Sequence, residues 1–277
     1  MTDTERNCPC CASLARTVLT PSVVLGGTRH ALRLLRCKAC GHAFLETDKD
    51  QHSAIEDDYM HDYAGHRPDP VFELRARAAM VHEIMPLVPP PARLLDVGCG
   101  SGAFLDVARS LGYAGTGIDI SSGAIATCRE RGLHAIEGDV LSHDFGEPFD
   151  LVTMWDFLEH LRDPALFVRR AFDLLRSGGI LVVKTPGMGR LTIELARVNK
   201  RVLPVILHAP HHVQYWTPGS IDSILSRAGF ASIIHFPPRE FRQKARANSI
   251  RRIAKRTIIA TIGGLAGNRN IFVAGRK

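Results

Sequence analysis

Three carboxylates follow one glycine-rich turn in a fixed order. The run Leu94-Leu95-Asp96-Val97-Gly98-Cys99-Gly100-Ser101-Gly102 carries apolar residues into a turn of alternate glycines. Glycine lets a backbone bend sharply and come close to a bound molecule. Asp119 follows in Gly117-Ile118-Asp119-Ile120, and Asp139 in Glu137-Gly138-Asp139-Val140. A carboxylate about twenty residues beyond such a loop can accept the hydroxyls of a ribose diol. The spacing is G-x-G-x-G, not the G-x-G-x-x-G of dinucleotide binders, and no Lys-Ser/Thr pair follows as in a phosphate-binding loop. The three acids also suit helix N-caps at ordinary strand-to-helix turns. Their order behind one glycine loop favours ligand binding.

A second cluster is sulfur-rich. The seven cysteines are Cys8, Cys10, Cys11, Cys37, Cys40, Cys99 and Cys128, and five fall in the first forty residues. Taking Cys8 with Cys11 and Cys37 with Cys40 gives two C-x₂-C pairs separated by positions 12–36. Four thiolates at tetrahedral positions suit a structural Zn²⁺, because four sulfur ligands leave no open position for catalysis. Gly41 permits the tight turn after Cys40. Cys10 either replaces a neighbour or stays a free thiol.

Two further groups can serve a reacting partner. In Trp155-Asp156-Phe157-Leu158-Glu159-His160 the acids and the histidine can share a face of a short helix, as a cation site or as packing under a pocket. In Pro210-His211-His212-Val213-Gln214-Tyr215-Trp216-Thr217-Pro218, a neutral imidazole can remove a hydroxyl proton near pH 7. His211 is the first choice and His212 the second; loop packing is the bland alternative. Thr217 followed by Pro218 reads as a helix start.

The elements that must hold these groups can be read from hydrophobic periodicity. Residues 1–47 form the cysteine-rich unit. Residues 48–92 form a helical linker or lid, with Val71, Leu74, Ala78, Val81 and Ile84 at near-helical spacing. From 93 to 277, short apolar strands alternate with amphipathic helices. Strands are expected at Arg93–Val97, Tyr113–Ile118, His134–Glu137, Phe149–Met154, Gly179–Thr185, Ala231–Phe236 and Asn270–Ala274. Helices are expected at Ser101–Leu111, Ser121–Arg131, Pro164–Arg176 and Thr217–Ala228. This alternation predicts an α/β fold, a doubly wound and mainly parallel sheet covered on both faces. Insertions at 187–210 and 239–267 interrupt it. In the second, Arg239, Arg242, Lys244, Arg246, Arg251, Arg252, Lys255 and Arg256 face an apolar stripe that includes Ile250, Ile253 and Ile258. Over 239–262 such a helix can lie on an anionic membrane or meet an acidic carrier, or simply pack on the sheet.

At the glycine loop and the acids behind it, the sequence resembles the class I S-adenosylmethionine (SAM)-dependent methyltransferases. Asp96-Val97-Gly98-Cys99-Gly100-Ser101-Gly102 looks like that family's first motif, Asp119 its ribose acid and Asp139 its adenine-side acid. Phe149–Asp156 looks like its fourth-strand motif and Leu174–Val183 the block around its fifth. The resemblance implies a Rossmann-like sheet of seven strands, the last running antiparallel. It also implies SAM contacts from Asp96, Gly98, Gly100, Gly102, Asp119, Ile120, Asp139, Val140 and Trp155. Tyr59 and Tyr63 resemble tyrosines that close over SAM. Glu159-His160 resembles part of an E-x-x-E-H run that binds Mg²⁺ in quinone and RNA-end methyltransferases, with Asp156 departing at the first position. The cysteine pairs, with Cys40-Gly41-His42-Ala43-Phe44-Leu45, resemble zinc ribbons found ahead of bacterial small-molecule methyltransferases. The implied reaction is methyl transfer to a small-molecule acceptor such as a sugar, polyketide or quinone-like hydroxyl, with His211, His212 or His160 as base.

Bulk composition bounds these readings. The chain has 277 residues, 45% hydrophobic and 23% charged, which is enough for one sizeable core and a small accessory unit. No apolar run is long enough to span a bilayer, and the first residues have no apolar leader. The expected location is the cytoplasm or its membrane surface. A net charge of +7 is compatible with RNA. An RNA methyltransferase is therefore one rival, and a non-catalytic SAM-binding module another. Trp155-Asp156-Phe157-Leu158 after the fourth strand, where base-amine methylation favours Asn/Asp-Pro-Pro-Tyr, argues against RNA. The intact glycine loop argues against the non-catalytic module.

Overall fold

The computed structural model describes residues 7–14, 16–24, 31–48, 50–56, 70–189, 211–236 and 270–277. Tyr59, Tyr63, positions 190–210 of the expected insertion and the basic stretch 239–267 lie outside the described residues.

Short apolar runs bounded by glycine, proline and polar turns form the central sheet. Its strands are β4 (Arg93–Val97), β5 (Ala114–Asp119), β6 (Ala135–Glu137), β7 (Phe149–Trp155), β8 (Leu175–Pro186), β10 (Ser232–His235) and β11 (Asn270–Arg276). Their spatial order is β10-β11-β8-β7-β4-β5-β6. From β8 to β6 every neighbouring pair is parallel. β11 runs antiparallel to β8, and β10 antiparallel to β11. The sheet is mainly parallel, as the alternation of strands and helices predicts, and has the seven strands with an antiparallel last strand that the resemblance implies.

The buried strands lack polar alternation because both faces are covered. Successive side chains point to opposite faces. Leu95, Val97, Val152, Met154, Leu181 and Val183 therefore join one core, while Leu94, Leu151, Ile180 and Val182 join the other. Helices α1 (Pro70–Ile84), α2 (Ala103–Ser110) and α3 (Ser122–Glu130) cover the second face, contributing Met80, Val81, Phe104, Leu105 and Ile125. Helices α4 (Pro164–Leu174) and α5 (Pro218–Ala228) cover the first, contributing Val168, Ala171, Ile221 and Ile224. Thr217 and Ser220 close a reciprocal cap on α5, with Pro218 in its first turn, as the sequence foreshadows.

Most boundaries shift by a residue or two, and one junction changes character. Helix α4 stops at Leu174, not Arg176, and β8 starts at Leu175, not Gly179. Leu175 already pairs with Phe149, and the register then shifts before Leu151 meets Ile180. Gly178, at φ +75°, turns the chain inside this irregular start. Pairing across strands thus claims residues whose local pattern reads as helix.

The cysteine-rich segment builds a second sheet. β1 (Arg16–Val24), β2 (Ala31–Cys37) and β3 (Ala43–Glu46) pair antiparallel in sequence order. A fourth strand, β9 (Gln214–Tyr215), joins β3 from far along the chain, aligning Ala43 with Tyr215 and Phe44 with Gln214. Cys8, Cys10, Leu35, Cys37 and Phe44 are buried in the same core as Trp216, Ile221 and Val183. Residues 50–56 form a short helical segment after β3. Among the described residues no helix is long and apolar enough to cross a membrane.

Candidate functional site

The glycine loop leaves β4 at its carboxyl end, beside the point where the strand order reverses between β4 and β7. Ligands of open α/β sheets bind in that crevice. Gly98, Gly100 and Gly102 have φ of +70°, +51° and +78°, a region that side chains disfavour. A Cβ on Gly98 would stand 2.5 Å from the Phe157 ring, and one on Gly102 2.5 Å from Leu133. The loop is pinned back by Gly98 N–H donating to the Ile118 carbonyl at 2.9 Å.

Asp119 closes β5 at the same edge. Its Oδ2 accepts from Gly100 N–H at 2.9 Å, and its Oδ1 from Ser121 N–H at 2.9 Å. The carboxylate therefore fixes the loop and the start of α3 together. An ionised carboxylate offers about four lone-pair directions, so capacity for hydroxyl donors is left over. Ile120 beside it is 60% exposed, an open apolar surface next to an acid. Asp139 Oδ1 accepts from Leu141 N–H at 2.9 Å in its own turn, and Val140 is buried. Asp96 is buried under the loop, where its Oδ1 accepts from Thr153 Oγ1 at 2.7 Å. Burial pushes its carboxyl up to about 7, against the pull of the Thr153 hydroxyl and the Arg77 charge.

Charged and aromatic groups gather where β7 and β8 end. Trp155 is buried against Phe104, ring centroids 4.9 Å apart, and its Nε1 has no partner among the described residues. Asp156 takes φ +49°, a left-handed conformation uncommon for a residue with a side chain. Its N–H donates to the Lys184 carbonyl at 2.8 Å, and its carboxylate pairs with Lys184 Nζ. Next, Phe157 lays its ring against Gly98 and so connects this corner to the glycine loop.

Glu159 is fully buried, and Thr185 Oγ1 donates to its Oε2 at 2.9 Å. Burial, then the Asp156 charge, pushes its carboxyl up to about 8. It is therefore mostly protonated at neutral pH. His160 Nδ1 meets the His211 carbonyl at 2.9 Å. A carbonyl only accepts, so Nδ1 carries the hydrogen and Nε2 the lone pair. Burial lowers the imidazole to about 4, which keeps it neutral at pH 7. The His160 and His212 rings stand edge to face at 4.9 Å. Ligand atoms of Glu159, His160 and His212 lie within 4.8 Å of one another. His160 and His212 bring their rings together, and His211 contributes its backbone carbonyl and a side chain near enough to act on the His160 charge.

The four sequence-paired cysteines converge. The sulfurs of Cys8, Cys11, Cys37 and Cys40 lie within 4.8 Å of one another. Cys8 and Cys40 are 3.7 Å apart, and Cys11 and Cys37 3.5 Å. Cys10 donates its thiol to the Ser220 carbonyl at 3.0 Å and also meets the Cys8 and Cys40 side chains. The Ser220 contact ties the segment to the start of α5.

Several residues of this region escaped the sequence reading. Lys184 and Thr185 sit in an apolar strand where polar types are the only signal. Gln214 interrupts the run Val213-Tyr215-Trp216 in the same way. Arg77 reaches Asp96 electrostatically from α1, a helix recognised only by its apolar face.

Comparison with known proteins places this geometry. The family described as methyltransferase domain matches residues 63–235. The chain therefore belongs to the methyltransferase domain family, in the class I group that uses SAM. The ubiquinone biosynthesis O-methyltransferase of Xanthomonas axonopodis pv. citri is 32% identical over 158 residues, covering 52% of this chain and 64% of the relative. That of Caulobacter vibrioides is 36% identical over 115 residues, covering 38% and 45%. The chain thus matches less than two thirds of the length of these curated relatives. Among solved structures, a SAM-dependent methyltransferase from Archaeoglobus fulgidus superposes with a TM-score of 0.52 at 18% identity, covering 74% of this chain and 94% of that one. Phosphoethanolamine N-methyltransferase 2 of Haemonchus contortus, solved with SAM, gives 0.54 at 20% identity, covering 71% and 51%. These two likenesses establish the fold alone.

Proposed function

We propose that this protein transfers the methyl group of SAM to an oxygen of a small-molecule acceptor. The observation that carries the reading is Asp119. It holds the glycine loop through Gly100 and stays only half-buried at the carboxyl end of β5, next to the exposed Ile120. In this reading Asp119 takes the ribose hydroxyls and Ile120 covers one face of the adenine, with Asp139 and Val140 at its far edge. Gly98, Gly100 and Gly102 let the backbone approach the methionine part. Asp96 and Trp155 line the inner wall, and Tyr63 is assigned to the outer side by resemblance alone. Arg77 supplies positive charge for the cofactor's carboxylate.

When bound, SAM supplies an electrophilic methyl group on its sulfonium. The protein's own task is alignment and proton removal. His160, neutral and held by the His211 carbonyl, can accept a hydrogen bond from the acceptor hydroxyl at Nε2, and His212 beside it is assigned the proton. Glu159, protonated, and Thr185 support the turn beneath. The Asp156–Lys184 pair gives the acceptor side a fixed dipole. The relatives' naming as O-methyltransferases supports oxygen as the methylated atom. The acceptor class is a hydroxyl of a quinone-like, polyketide or sugar compound.

We assign the cysteine cluster to a structural Zn²⁺ in a zinc ribbon over 1–47, ahead of a linker over 48–92 and the core over 93–277. Four sulfurs about 2.3 Å from a tetrahedral centre stand roughly 3.8 Å apart. The sulfur pairs at 3.5 and 3.7 Å fit that arrangement. The experiment is methyl transfer from SAM to a panel of catechols, hydroxyquinones and sugars, followed by mass spectrometry. Methyl ether products that disappear in His160→Ala support the proposal. Methylation of added RNA instead, with none of the panel modified, would overturn it.

A further inference from the structure

The acceptor corner is built on the cysteine-rich sheet as well as on the central one. His42 follows the second cysteine pair directly, in Cys40-Gly41-His42. Gly41 turns at φ +74°, and Cys37 N–H donates to the His42 carbonyl at 2.8 Å. His42 therefore moves with the cysteine turn. Its side chain is fully buried and lies on Trp216, ring centroids 4.3 Å apart.

From there a polar chain crosses the core. Gln214 Nε2 donates to the Leu161 carbonyl at 2.8 Å and to the Arg162 carbonyl at 3.2 Å. Its Oε1 must then face His42 Nε2, at 2.8 Å, as an acceptor. His42 is thus the donor, with its hydrogen on Nε2. Leu161 and Arg162 immediately follow Glu159 and His160. Backbone bonds run parallel to this chain. Leu45 N–H donates to the Val213 carbonyl at 2.9 Å, and Val213 N–H to the Glu159 carbonyl at 2.8 Å. Strand β9 is therefore an intermediate layer: the cysteine sheet on one side, the Glu159–His160 turn on the other.

We propose that Gln214 and His42 are positioning residues for the Glu159–His160–His212 corner, and that the four-cysteine cluster anchors them. The inference rests on the zinc assignment above. Two sheets meet in this line, and buried amides tolerate few alternative partners. Loss of the anchor should therefore release the turn at 157–163 and the strand at 211–217. The cofactor loop hangs instead from β4 and β5, through Ile118 and Asp119, and Phe157, which touches it at Gly98, is also held by Phe167 of α4, so the loop should stay in place.

The experiment uses the full chain in three states: as isolated, after zinc removal by a chelator, and as Gln214→Leu. Metal content, SAM affinity by calorimetry, amide hydrogen exchange and histidine ring resonances are measured for each. Exchange at 157–163 and 211–217 is expected to rise by at least about tenfold after zinc removal and in Gln214→Leu. The His160 and His212 resonances should shift in both. SAM affinity should change by less than about threefold, since no hydrogen bond of the cofactor loop is lost. Zinc restored to the stripped wild type should reverse the changes; Gln214→Leu should keep its zinc and remain loosened. Should Gln214→Leu fail to fold, His42→Phe removes the donor while keeping a ring on Trp216, with the same expectation. Unchanged exchange at 157–163 after zinc has left overturns the inference, as does SAM affinity lost in step with it. A protein isolated without zinc overturns the metal assignment and this inference with it, while absent SAM binding in zinc-loaded protein overturns the methyltransferase reading.

Discussion

Replacing Gly98 by alanine puts the glycine-loop argument to a quantitative test. Two costs are separable. The backbone at φ +70° disfavours any Cβ, by about 1–2 kcal/mol. The new Cβ would also stand 2.5 Å from Cδ2 and 3.0 Å from Cε2 of Phe157, so the ring must move. That ring packs edge to face on Phe167, centroids 5.5 Å apart, and its displacement costs about 1–3 kcal/mol in the manner of an overpacked site. Gly98→Ala should therefore destabilise by about 2–5 kcal/mol, a large share of the roughly 5–15 kcal/mol of a folded domain. Phe157→Ala removes the obstacle. In a double-mutant cycle followed by urea unfolding, the two changes should couple favourably by about 1–3 kcal/mol. The backbone cost remains in the double variant. A single variant within about 0.5 kcal/mol of wild type, or a cycle with no coupling, would refute the reasoning.

Asp119→Ala should weaken SAM binding by about tenfold or more, because a charged acceptor for the ribose and for Gly100 N–H disappears together; calorimetry checks it, with circular dichroism confirming the fold. Glu159 has its folded pKa raised to about 8, above its unfolded value, so its contribution to stability is complete at low pH and is lost as pH rises toward 8. Glu159→Gln should remove that loss, and urea midpoints at pH 5 and 9 should lie closer together than in wild type. His160 runs the other way: with its folded pKa lowered to about 4, stability present above about 6.5 is lost as pH falls toward 4. His160→Phe should flatten the acid side of the same profile. Cys37→Ser should abolish zinc retention by the purified protein, whereas Cys10→Ser should retain the metal because Cys10 lies outside the four sulfurs that converge within 4.8 Å of one another.

Much of the core was legible because its strands are buried on both faces. Runs such as Leu94-Leu95 and Leu151-Val152 have no amphipathic alternation, and glycines or polar turns close each one. The glycine loop and Asp119 were legible because their chemistry constrains spacing within the chain. Strand β9 was not, since two residues carry no period and their partners, Ala43 and Phe44, are distant in sequence. The start of β8 was misread for a related reason: pairing with Phe149 outweighs the helical pattern that continues through Arg176. At the acceptor corner the histidines were visible as residue types. Their arrangement was not, because it depends on which ring packs on His160 and which backbone carbonyl it meets. Lys184 gave only a charge within an apolar strand; its pairing with Asp156 required the neighbouring strand to be in place.

A nucleoside held at the carboxyl edge of β4 and β5 is open to a decisive measurement: a crystal structure of the protein grown with S-adenosylhomocysteine. Ribose hydroxyls are expected on the Asp119 carboxylate, the adenine against Ile120 and the sulfur facing the corner of Trp155 and His160. A nucleoside bound elsewhere, or an empty crevice in crystals soaked to saturation, would contradict this placement.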